Sequence, residues 1–308
     1  MMEISARLRE RFCKDCKIPV DIFHEPYFSE RLKLTDSHFD SLSKWGIFVD
    51  GLSCYANEEE YFADYNRVKD SAIDSIKASD AYQRFNSEDM NKFAVKFKNL
   101  PSKDIFKSSF IGRRFISIDM KKANFSALSF YDKGIFGDAD SWEDFIGRFT
   151  DNRHIINSKY IRQVVLGNCN PKRHITYEKY LMSGVLEKLL ESSISLDKVV
   201  FFSNDEIVVD ITGLDSVLEP IYLEQFETVT RGIGIPLRFE LFTLRGIMGT
   251  NGYMKVAAEG VDFKCLAPWE YVFVLRRFAR EEITDNDKVF YYNGLLCKFM
   301  EVPEIDFD

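Results

Sequence analysis

Asp119 and Asp205 are the residues in this sequence best suited to do chemistry, and Glu206 follows directly on the second. Asp119 closes the apolar, β-branched run Arg113-Arg114-Phe115-Ile116-Ser117-Ile118-Asp119, a pattern that predicts a buried strand. Asp205 sits in the polar tetrapeptide Ser203-Asn204-Asp205-Glu206 between two apolar runs, which predicts a β-hairpin with a tight turn. A carboxylate at either place is costly to desolvate unless something positive holds it. Divalent cations are one solution: two ions about 3.5–4 Å apart can activate a hydroxyl nucleophile and stabilise a leaving pyrophosphate. Mg²⁺ needs only one or two protein carboxylates plus phosphate oxygens, so a sparse acidic set suffices. Asp119 and Asp205 are therefore expected to hold Mg²⁺ (or Mn²⁺), with Glu206 an outer or occasional ligand. The plain structural alternative stands beside this, because strands often end in Asp and Asn-Asp is ordinary turn chemistry.

The elements that must position these groups can be read from periodicity. Residues 1 to about 105 read as mainly helical, with one long helix over Glu58 to Lys98 closed by Pro101. After the strand at Asp119, Met120 to Tyr131 reads as a helix, as do Trp142 to Phe149 and Ser158 to Leu166. Thr176 to Leu190 is a clearer one, with Tyr177, Tyr180, Leu181, Val185 and Leu189 at helical steps. The hairpin follows, then a helix over 216–230, strand-like segments at 236–244, 252–258 and 262–266, and a helix from Trp269 to Arg280. The tail from 284 is strand-like and then acidic, and no internal repeat is visible. An α+β class is expected: an antiparallel sheet with packed helices, plus a helical N-terminal region. The divisions expected are 1–105, a core at 106–250 and a small C-terminal region at 251–308.

Composition bounds the rest. The chain has 308 residues, 45% hydrophobic and 29% charged, with 28 Phe and 14 Tyr, enough for a sizeable core. No apolar run is long enough to span a membrane, and the charged start from Met1 to Phe12 does not read as a secretory signal. An intracellular location, cytoplasmic or nuclear, is the expectation. Net charge is −8, which argues against a protein held to duplex nucleic acid by bulk positive charge but leaves room for a local basic groove. Six cysteines are expected to be reduced thiols. Cys13 and Cys16 have half-zinc-site spacing, with only His24 and His38 near in sequence to complete it; two ordinary thiols is the simpler reading.

The residues around the acidic pair resemble a known group. Ile118-Asp119-Met120-Lys121-Lys122-Ala123-Asn124-Phe125 looks like the first palm motif of reverse transcriptases and viral RNA polymerases. Ser203-Asn204-Asp205-Glu206-Ile207-Val208-Val209 looks like their third, although Glu206 replaces the usual second Asp and Ser203 stands where reverse transcriptases carry Tyr. An Asp-Glu pair is what family A DNA polymerases use in that hairpin. The same string also resembles hairpins of tRNA-His guanylyltransferases and diguanylate cyclases. The likeness covers roughly residues 110 to 250 and rests on two short motifs.

The resemblance implies a palm-type two-metal nucleotidyltransferase adding nucleotides to a nucleic-acid 3′ end. It implies nucleoside triphosphates as substrates and nucleic acid as partner, with RNA favoured over DNA. Asn124 would lie under the incoming sugar and tolerate a 2′ hydroxyl; Phe125 would serve as the gate if the helix starts one residue later. Lys159, Arg162, Lys172 and Arg173 would handle phosphates, or form a solvated basic face. Arg113, Arg114 and Lys255 are candidate nucleic-acid contacts, and His154 and His174 candidates for stacking or proton transfer. Tyr27, Trp45 and Trp269 could offer stacking surfaces, or simply fill the core. Two other readings remain: a non-catalytic palm that binds RNA or protein in a larger assembly, and a nucleotide cyclase or guanylyltransferase. Small stand-alone palms are common in viruses and mobile elements, so a virus-encoded protein is compatible with the likeness.

Overall fold

In a computed structural model describing residues 3–192 and 194–307, the chain is α+β and its main sheet is antiparallel. The N-terminal region is helical: α1 (Ala6–Cys16), α2 (Tyr27–Leu34), α3 (Asp36–Phe39), α4 (Ser41–Leu52), α5 (Glu58–Ala78) and α6 (Asp80–Ser87). The long helix expected over Glu58 to Lys98 is broken at Ser79. That residue turns extended (φ −72°, ψ 135°) and its hydroxyl accepts from Tyr82 N–H, capping α6. Ser79 acts as a new N-cap inside a periodic run, so the apolar pattern continues while the axis changes. Asn57 caps α5 in the same way, ahead of Glu58, Glu59 and Glu60 in its first turn.

The sheet begins with β1 (Arg114–Met120). Then come α7 (Ala123–Tyr131), α8 (Trp142–Ile146), α9 (Arg153–Asn157), α10 (Lys159–Gly167) and α11 (Pro171–Ser192). The hairpin of β2 (Val199–Phe202) and β3 (Glu206–Asp210) follows, then α12 (Glu219–Thr230), β4 (Leu237–Met248), β5 (Tyr253–Ala257) and β6 (Gly260–Lys264). Strand order is β2-β3-β1-β4-β5-β6. From β1 to β4 the chain therefore runs strand–helix–strand–strand–helix–strand in the order of a split, ferredoxin-like unit. β5 and β6 continue the same sheet beyond residue 250, where the sequence suggested a boundary. The remainder is α13 (Pro268–Phe278), a separate hairpin of β7 (Val289–Tyr292) and β8 (Leu295–Lys298), and β9 (Asp306–Phe307) against the end of β4.

Alternation along β1 gives the sheet two different faces. Ile116, Ile118 and Met120 enter the main core with Leu128, Met182, Val185 and Leu186 of the helices. Phe115 points the other way, into a smaller cluster with Phe110, Val208, Phe242 and Leu244. Ser117 and Asp119 share that second face, so the side chains there turn polar towards the C-terminal end of β1.

One buried acid ties several N-terminal helices to the region after β1. Asp15 is fully buried and accepts from Tyr65 Oη at 2.8 Å and Ser158 Oγ at 2.9 Å. His154 Nε2 lies 3.0 Å and Arg11 Nη2 3.2 Å from its carboxylate. Ser158 is also the N-cap of α10, accepting from Ile161 N–H at 3.0 Å. Asp15 thus joins α1, α5, α9 and α10. His154, a candidate for proton transfer in the sequence, is a member of this network. Trp45 packs edge-on to Phe12 (4.9 Å) and Phe28 (5.0 Å), and Trp269 lies 5.1 Å from Phe299, so both fill cores. Tyr27 is half-buried at the start of α2. Removing one member of a buried charged network leaves the others uncompensated. Asp15→Ala should lower unfolding free energy by about 3–5 kcal/mol in urea denaturation; a loss below about 1 kcal/mol would contradict this account.

Candidate active site

The two acids foreseen in the sequence meet at the end of β1. Met120 N–H donates to the Asp205 carbonyl at 2.8 Å, which seats the β2–β3 turn on the strand end next to Asp119. The turn is tied internally through one hydroxyl. Ser203 Oγ accepts from Glu206 N–H at 2.9 Å and donates to Asp205 Oδ1 at 2.9 Å, while Ser203 N–H closes onto the Glu206 carbonyl at 2.9 Å. A Ser in this place fixes the turn and the orientation of Asp205 at once. In register, Asp119 is flanked by Glu206 on β3 and Arg238 on β4. Glu206 accepts from Ser117 Oγ at 2.5 Å.

Asp119 is held above the ordinary carboxylate range, first by burial and then by Glu206 and Asp205; Arg238 and, more weakly, Lys255 oppose the shift. The carboxylates therefore repel one another in a partly desolvated place. Among the described residues no group of three or more His, Cys, Asp or Glu side chains is arranged to hold a metal ion. The donor set fits a cation that takes its remaining oxygens from a substrate phosphate and water.

A cleft of about 370 Å³ opens beside the pair. Its floor is Asp119, Asn204, Asp205 and Glu178, and its walls are the start of α7, one face of α10 and the first turns of α11. Lys122, Asn124, Lys159 and Arg162 line it. Lys122 is paired with Glu143 and Lys159 is exposed. Arg162 is half-buried and its Nε has no hydrogen-bond partner; burial lowers its pKa, countered only by distant attraction to Glu143. The planar guanidinium of Arg162 is thus partly desolvated at the cleft wall with no ion pair among the described residues.

Other candidates lie elsewhere. Phe125 is not a gate: it is buried against Phe136 at 4.6 Å, because Lys122 takes a left-handed conformation (φ 49°) and α7 begins at Ala123. That start turns Asn124 to the cleft and Phe125 to the core. Arg173 donates to the Phe85 carbonyl at 2.8 Å and to that of Glu88, joining α11 to α6, and does not line the cleft. Lys172 is exposed outside it. Arg113 and Arg114 sit at the opposite end of β1, paired with Asp210 and Glu219. Lys255 is 6% exposed, lies over Phe242 and bonds Glu240 Oε2 at 2.6 Å, so it is a buried partner within the sheet face, with no surface for a primer. His174 is buried at the cleft wall, with burial pushing its pKa down to about 4, so the ring is neutral. Cys13 is in the core and burial pushes both thiols up, Cys16 to about 12.

Glu178 is one of the cleft residues not singled out from the sequence. It is 3% exposed on α11, and its Oε2 accepts from Asn204 Nδ2 at 2.5 Å. Burial, reinforced by Asp205, pushes its pKa up to about 7. The signal was present: Glu178 falls on the stripe of α11 that carries His174, Leu181, Met182 and Val185, where an acid is out of pattern.

Comparison with known proteins finds no matching family model, no matching curated protein and no matching solved structure. The reading of the site therefore rests on its geometry.

Glu178 makes stability depend on pH in a definite direction. Its folded pKa of about 7 exceeds the ordinary 4.5, so the folded chain retains a proton that the unfolded chain releases over that interval. Its contribution is fully present below pH 4.5 and is lost as pH rises through about 7. Between about pH 5 and about pH 8, wild type should lose roughly 2–3 kcal/mol more stability than Glu178→Gln. Parallel pH profiles for the two proteins in urea unfolding would refute the assignment.

Proposed function

We propose that the chain is a palm-type nucleotidyltransferase that adds nucleotides to a nucleic-acid 3′ end with Mg²⁺ or Mn²⁺. The single observation carrying this reading is the junction that sets Asp119 beside Asp205 at the floor of a cleft with a cationic wall. The β2-β3-β1-β4 strand order, with the acids on the end of β1 and in the β2–β3 turn, agrees with it. A bound pair of divalent ions would lower the pKa of the attacking 3′ hydroxyl and stabilise the leaving pyrophosphate. Asp119 and Asp205 would hold the ions; Glu206, bonded to Ser117, adds negative potential behind Asp119. Arg162 and Lys159 bind the triphosphate from the α10 side, and Asn124 contacts the sugar and accepts a 2′ hydroxyl. In the reaction a bond forms from the 3′ oxygen to the α-phosphorus, the α–β phosphoanhydride bond breaks, and the hydroxyl proton passes to solvent. Ribonucleotides and an RNA strand are the favoured substrates.

A second reading, a palm retained as a non-catalytic scaffold for RNA or protein, is favoured by one feature. Arg238 Nη2 lies 3.5 Å from Asp119 Oδ2, so this acid has a protein cation beside it. Nucleotide incorporation separates the two. With labelled NTPs and dNTPs on primed RNA and DNA, wild type should incorporate nucleotide with Mg²⁺ or Mn²⁺. Asp205→Ala should lose on the order of a hundredfold or more, the scale for removing one preorganised electrostatic contact. Asn124→Phe should shift preference towards dNTPs. No incorporation under any condition would leave the scaffold reading in force.

A further inference from the structure

We propose that Arg238 is a further substrate-binding residue of this site: it neutralises Asp119 while the cation is absent and binds a phosphate of the nucleotide once a cation has taken Asp119. The inference rests on the reading of the cleft as a metal-dependent nucleotide site. Register places Arg238 directly across from Asp119 on β4, on the same face as Glu206. The contact is 3.5 Å, longer than a hydrogen bond, and the Arg238 side chain is 57% exposed. Such a pair is weakly held and easily separated. Among the described residues Arg238 has no other ion pair. The next acid along β4 on this face, Glu240, is already committed to buried Lys255 at 2.6 Å. An arginine displaced from Asp119 therefore finds the neighbouring acid on its own strand already engaged.

A divalent ion and a guanidinium compete for the same carboxylate and repel each other across it. A cation held by Asp119 and Asp205 would weaken the hold of Asp119 on Arg238, and a phosphate bound beside that cation would offer the guanidinium a new anion. The planar fork of Arg suits phosphate oxygens, and Arg238, which stands outside the cleft lining, would approach from the β4 side. The residue thus opposes the bare metal and favours the metal–nucleotide pair.

The two effects have opposite signs, which makes the test sharp. Mn²⁺ binding to the full chain is titrated by the loss of the free-ion EPR signal. Binding of the α,β-methylene analogue of ATP is then measured by calorimetry with Mn²⁺ in excess. Arg238→Gln should bind Mn²⁺ alone about threefold more tightly, since a loose exposed ion pair is lost, and the nucleotide about tenfold more weakly, since a charge-assisted contact is lost. Arg238→Lys should fall between the two. Arg238 is exposed, and an unchanged melting temperature verifies that Arg238→Gln folds. If Asp119→Asn weakens Mn²⁺ binding but Arg238→Gln leaves both affinities unchanged, or moves them in the same direction, the proposal for Arg238 fails alone. If wild type binds no Mn²⁺, or binds it equally after Asp119→Asn, the metal-site reading fails and this proposal falls with it.

Discussion

Mutual repulsion among carboxylates at the end of β1 is the constraint around which the rest of the site is arranged. Asp119, Asp205 and Glu206 are brought into range of one another by strand register and by one backbone hydrogen bond from Met120 to Asp205. Partial burial amplifies the repulsion, because the local dielectric is low. Three groups bear on it: Ser203 and Asn204 tie down the turn, Arg238 stands across from Asp119, and Lys255, already paired with Glu240, opposes the shift of Asp119 only weakly. None of them removes the charge. A site in which acids are held together against their own repulsion is poised to gain a cation.

The opposite wall is of the other sign. Arg162 and Lys159 are carried by α10, whose first turn is capped by Ser158. Ser158 in turn belongs to the Asp15 network that binds the N-terminal helices. The helical region thereby reaches the cleft indirectly, by fixing where α10 begins and so where its cations point. The floor is completed from α11, where Glu178 holds Asn204 and with it the residue before Asp205. Cationic wall and acidic floor converge on one space.

Much of the framework was legible in the sequence because it follows from local patterns. The strand ending at Asp119 and the Asn204-Asp205 turn were visible as apolar runs broken by turn residues. The amphipathic run of α11 was visible too, although Pro171 extends the helix beyond the expected start at Thr176. What was not legible depends on phase or on pairing between distant strands. The left-handed conformation of Lys122 shifts the start of α7 and so sends Phe125 inward and Asn124 to the cleft. Lys255 reads as a free cation until register sets it on the same face as Glu240. Arg238 carries no local signature at all, since its relation to Asp119 exists only across β1 and β4. Arg113 and Arg114 are near Asp119 in sequence, but an extended strand carries them to its far end. Glu178 was readable, as an acid on an apolar stripe.

The most direct test of the central claim is to locate the cation itself. Crystals grown with Mn²⁺ and a non-hydrolysable nucleoside triphosphate give an anomalous difference map that reports Mn²⁺ positions independently of any activity. A peak is expected between the Asp119 and Asp205 carboxylates, with the triphosphate lying towards Arg162 and Lys159. Nucleotide or Mn²⁺ bound only elsewhere, with Arg238 still against Asp119, would contradict it.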